Sequence, residues 1–101
     1  MEKEDLIKGE IYAYANEGIT EYIFIHNDFK TSSTNTVLQW IYIPGRDYHE
    51  KSDGFTSSFS KVRQATEFEK EWLNECIKEK RFVSREQIKE YKTKENNYEI
   101  Y

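Results

Sequence analysis

The stretch Glu10–His26, EIYAYANEGITEYIFIH, decides the fold. Glu10 to Ala15 alternates, with Ile11, Ala13 and Ala15 on one side and Tyr12 and Tyr14 on the other. That is the period-2 pattern of a strand. Asn16-Glu17-Gly18 follows as a short turn, because Asn and Gly tolerate positive φ. Ile19 to His26 reads as a second strand. Ile23 and Ile25 face one way, and Tyr22, Phe24 and His26 face the other. Both faces are apolar, which predicts a central strand or one closed into a small barrel.

Outward from this hairpin, Asn27 to Thr36 (NDFKTSSTNT) reads as a polar loop and Val37 to Ile43 (VLQWIYI) as a third strand. Pro44-Gly45 stops that strand. Arg46 to Gly54 reads as a second polar loop. Phe55 to Val62 alternates Phe and Ser loosely and reads as an edge strand. Consecutive short strands with turns between them favour an antiparallel meander. Four strands buried on both sides would curl into an SH3-like or OB-like half-barrel, or lie as a sheet under a helix. The pattern leaves both arrangements open.

All four glycines and the only proline lie in the first 54 residues, and residues 66–92 have neither. The chain therefore changes from strands to helix near residue 64. Thr66-x-x-Glu69 is a capping-box sequence. Phe68, Trp72, Leu73, Cys76 and Ile77 then fall on one helical stripe, predicting a core-facing helix over about 67–80. Ser84-x-x-Gln87 is a second capping signal, opening a short helix to about Lys92. The last residues, Tyr98 to Tyr101, read as a strand or a frayed end. The expectation is one α+β domain over 1–101, with a β-rich part at 8–62, a helical part at 66–92 and a tail at 93–101.

The chain has 101 residues and a mass of 12.2 kDa, enough for one core. Phe, Tyr and Trp together number 16, equal to Leu, Ile and Val, and eight of the 16 are Tyr. The core must therefore lean on rings. No apolar run approaches the ~20 residues that span a bilayer. The charged start, Met-Glu-Lys-Glu-Asp, does not read as a secretory signal. The single cysteine, Cys76, forms no internal disulfide and fits a reducing cytoplasm. Fifteen Lys and Arg against 19 Asp and Glu give a net charge of −4. An acidic balance counts against nucleic acid, whose binding rests on cations neutralising phosphates. The densest basic cluster, Lys78, Lys80, Arg81 and Arg85, fits a helix end, where cations oppose the negative pole of the dipole.

No residue constellation announces catalysis. His26, Asn27 and Asp28 end the second strand, and Asp47, His49, Glu50 and Asp53 lie in the second large loop. If those segments met, two imidazoles and several carboxylates would suit a metal. No His-x-x-x-His or His-Glu-x-x-His spacing supports it, so no metal, cofactor or catalytic residue is assigned. Cys76 sits on the apolar stripe, where a thiol acts as a small hydrophobe and its thiolate is disfavoured. There is no Gly-x-Ser-x-Gly elbow and no phosphate-binding glycine loop. Arg63, between a strand and a capped helix, is placed to anchor the corner to a carbonyl or carboxylate.

The stretch Val62-Arg63-Gln64-Ala65-Thr66-Glu67-Phe68-Glu69-Lys70 resembles the strand-to-helix junction of a class of small uncharacterised proteins. They occur in Bacteroides-type gut bacteria, their phages and their mobile elements. Lys8-Gly9-Glu10-Ile11 and Tyr22-Ile23-Phe24-Ile25 look similar too, so the resemblance covers about residues 8–83. Trp72 and Cys76 depart from it, standing where plainer aliphatics are expected. It implies a bacterial or phage cytoplasmic origin and supplies no functional residues.

The aromatic side chains are the most informative functional feature. One helix covers one face of a sheet, so Tyr12, Tyr14, Tyr22, Trp40 and Tyr42 are expected to stay partly exposed. Such a surface suits protein contact, where Tyr and Trp concentrate. The reading is a small non-enzymatic binding or adaptor module whose partner is another protein or a second copy of the chain. The alternative is base stacking of single-stranded nucleic acid on the same face. A metal-dependent enzyme using loop His and carboxylates stands third.

Overall fold

A computed structural model describes residues 5–31, 34–55 and 59–88. The opening hairpin forms as its alternation dictates. β1 (Ile11–Asn16) pairs antiparallel with β2 (Ile19–Phe29), and the register sets Ala13 opposite Ile23. Glu17 and Gly18 form the two-residue turn with φ of 52° and 79°. Positive φ at both positions matches the strand twist, and the glycine adopts it without the Cβ penalty that Glu17 carries.

β3 (Asn35–Tyr42) pairs with β2, and β4 (Asp47–Ser52) pairs with β3. β5 (Val62–Gln64) pairs with β1 at the opposite edge. The result is a five-stranded antiparallel sheet in the order β4-β3-β2-β1-β5. It is an α+β fold with an open sheet: β4 and β5 are its two edges and do not pair with each other.

The described residues form five strands where the sequence reading has four. The segment 46–54, read as a polar loop, contains β4. An edge strand needs a partner on one side only and little apolar surface, so its DYHEKS sequence carries no alternation to betray it. The 27–36 loop is shorter than read, because β2 runs on to Phe29 and β3 begins at Asn35. There the polar side chains pair across the strands: Asn27 Nδ2 donates to Thr36 Oγ1 at 3.1 Å. Among the described residues of 55–62, only Val62 belongs to a strand. Phe59–Lys61 forms a single 3-10 turn before β5.

α1 (Glu67–Glu79) starts on its capping box. Glu69 N–H donates to Thr66 Oγ1, and the Glu69 carboxylate accepts from Thr66 N–H. It ends at Lys80, whose left-handed backbone lets its N–H reach the carbonyls of Cys76 and Ile77. Trp72, Leu73 and Cys76 are buried against Ile23 and Ile41, with Phe68 and Ile77 half-buried beside them. Trp72 Nε1 donates to Val83 O at 2.7 Å, fixing the chain that leaves the helix. Ser84 and Gln87 then cap each other reciprocally, and helix follows over 85–88. The rest of the second helix and the tail lie outside the described residues.

The other sheet face has its own core of Leu6, Tyr12, Phe24, Val37 and Val62, with Phe29, Trp40, Phe55 and Phe59 packed on it. Strand polarity explains its cover. β4 and β5 run in the same direction from opposite edges, so the connection between them must cross the sheet. The residues described at either end of it, Phe55 and Phe59, lie on the face away from α1. Its described ends lay Phe55 against Phe24 (ring centroids 4.7 Å apart) and Phe59 against Phe29 (5.8 Å). Phe55 and Phe59, at the two ends of this crossover, thus cover part of the aromatic face.

Candidate functional surfaces

The aromatic surface is narrower than the sequence pattern implies. Tyr12 is not on it. It is 3% exposed, and its hydroxyl accepts from Ile7 N–H at 2.8 Å. The segment before β1 folds back over it, with Leu6 buried in the same cluster. Tyr14, Tyr22, Trp40 and Tyr42 are half-buried and form one connected strip. Tyr22 is its hub, with centroids at 4.8 Å from Tyr42, 5.7 Å from Tyr14 and 5.8 Å from Trp40. Cross-strand register places them so, since Tyr22 lies opposite both Tyr14 and Tyr42. Burial pushes the Tyr22 hydroxyl pKa up, and the neighbouring Tyr42, Glu21 and Tyr14 add to the shift.

Trp40 extends the strip to the edge strand, where the His49 ring stacks on it at 4.4 Å and 23°. A shallow pocket of about 370 Å³ opens beside it, lined by Tyr14, Glu21, Tyr22, Trp40, Ser52 and Phe55 among others. Trp40 Nε1 is buried with no hydrogen-bond partner among the described residues. An unmade bond of this kind costs roughly 1–3 kcal/mol.

The two histidines do not lie in loops. His26 is inside β2, 2% exposed, between Tyr12 and Phe29, with Nδ1 3.1 Å from the Asn35 amide. Burial lowers its pKa, against a smaller opposing pull from Asp28. His49 lies on the edge strand β4. Among the described residues no group of three or more His, Cys, Asp or Glu gathers for a metal. Cys76 is fully buried; burial raises its thiol pKa, and Val83 N–H donates to Sγ at 3.3 Å.

Arg63 anchors the strand-to-helix corner through both guanidinium arms. Nη1 and Nη2 donate to the two Glu69 oxygens at 2.7 and 2.8 Å, and Nη2 also reaches Thr20 Oγ1 at 2.7 Å. Burial alone would raise the Glu69 carboxyl pKa. The bonds from Arg63 and from Thr66 N–H outweigh it and hold the group below the ordinary carboxylate range.

Sequence reasoning missed a cleft of about 700 Å³ on the helix side of the molecule. It lies between the turns at one end of the sheet and the start of α1. Ile19, Ile43, Phe68, Trp72 and Phe82 give it apolar walls, and Arg46 and Arg85 stand among its lining residues. These residues come from four separate segments, so no local pattern announces it.

No helix among the described residues is long and apolar enough to cross a membrane. Comparison with protein-family models, curated proteins and solved structures gives no match.

Proposed function

We propose that this protein is a small non-enzymatic binding module that works by protein–protein contact through the strip Tyr14–Tyr22–Trp40–Tyr42. The observation that carries the reading is the continuity of the strip. Four rings from three adjacent strands meet at Tyr22 and stay half-buried, with Phe55 packed on Tyr22 and Trp40. Rings of this type offer large contact area at little cost in side-chain entropy, and they concentrate at interface centres. The partner is a second copy of the chain, apposed strip to strip, or another protein. Stacking of single-stranded bases is the alternative use of the same rings. The net charge of −4 weighs against it. A single, buried thiol accords with a cytoplasmic setting.

Light scattering over a rising protein concentration tests the reading. The expected mass exceeds one chain and returns to one chain in the Tyr14→Ser/Tyr42→Ser variant, whose circular dichroism matches the parent. A monomer at every concentration, with no loss of tyrosine reactivity in the presence of other proteins, would overturn it. Salt-sensitive retention on an oligonucleotide column would transfer the strip to nucleic acid.

A further inference from the structure

The cleft on the helix side carries an inference independent of the ring strip. Its floor is apolar, and its polar side chains are mostly committed to the fold. Trp72 Nε1 is bonded to Val83 O, Thr66 caps α1, and Glu69 and Thr20 are both held by Arg63. Three charged groups remain. The side chains of Arg46 and Glu86 have no hydrogen bond or ion pair among the described residues; only the Arg46 backbone N–H is bonded, to Ile43 O. Arg85 has only the face of Phe68, with its guanidinium carbon 5.7 Å from the ring centroid. Since Arg63 neutralises Glu69, two guanidinium groups face one free carboxylate in the cleft, an excess of one positive charge. This excess stands out in a chain of net charge −4.

The geometry points to a binding site for a small organic monoanion with a flat apolar body, of the aromatic carboxylate class. Its ring lies against Ile43, Trp72 and Phe82, and its carboxylate accepts from Arg46 and Arg85. Guanidinium groups suit this role because their donors match the two oxygens of a carboxylate. The volume of about 700 Å³ falls within the range of small-molecule sites. A peptide strand fits the cleft less well. Each of its residues brings a backbone donor and acceptor that need partners, and the floor's side chains have none to spare.

The test uses the full chain and 2-naphthoate as the probe, followed by the indole N–H resonance of Trp72 in nuclear magnetic resonance. The expected result is a saturable shift. Affinity should fall at least about tenfold for the uncharged 2-naphthylmethanol and for the Arg46→Gln/Arg85→Gln variant, the loss of a charge-assisted bond. Both arginines are surface groups, so the variant should keep the parent's melting temperature and self-association. Arg85→Gln alone gives a second reading of the same contact. No saturable shift up to millimolar probe would overturn the proposal. So would equal affinity for the alcohol, or undiminished binding by the double variant.

Discussion

His26 and Glu69 show what burial does to single groups in this fold. His26 lies between rings with one amide partner, so its neutral form is favoured and its pKa falls below the ordinary 6.5. The unfolded chain then takes up a proton first as pH drops. Stability from this residue is complete above about 6.5 and declines as pH falls toward the lowered value. Glu69 acts lower on the scale. Its pKa is held below the ordinary 4.5, so its contribution is present above that value and lost as pH falls through the folded one. Urea midpoints should therefore drop between pH 7 and pH 5 for the parent, and more gently for His26→Gln. An identical slope in the variant would place the imidazole in solvent. The role of Arg63 as a corner anchor was legible in the sequence, as was the Thr66–Glu69 box, because both are local. The buried setting of His26 was not. It depends on Asn35 and Phe29, which the sequence pattern assigned to a loop.

At the scale of elements, α1 was the most legible. A capping signal and an apolar stripe at helical spacing locate it within one residue of Glu67–Glu79. Trp72 is 6% exposed, bonded through its indole, and ringed by Phe68 and Phe82. Trp72→Ala should cost about 3–5 kcal/mol in chemical denaturation. A loss under about 1 kcal/mol would make the stripe a surface. The first hairpin was equally plain, since period and turn chemistry agree. β4 was hidden because its order comes from pairing with β3 rather than from its own residues. The Phe55 and Phe59 rings misled in the opposite sense. Alternation with serine looked like a strand, yet both rings belong to the crossover and pack down onto the sheet.

Among the described residues the sheet is covered twice: by α1 and the link that follows it on one face, and by Phe55, Phe59 and the segment before β1 on the other. Counting rings against a single helix overstates the exposed aromatic surface, because the second cover comes from topology that no local pattern encodes. What stays open is narrower and more specific, a strip of four rings that excludes Tyr12. Site-resolved nitration of the tyrosines at low and high protein concentration tests this account most directly. The account predicts that Tyr12 stays unmodified throughout, while Tyr14 and Tyr42 react in dilute solution and become protected as the protein associates. Nitration of Tyr12 as fast as Tyr42, or reaction of the strip that is indifferent to concentration and to added protein, would contradict it.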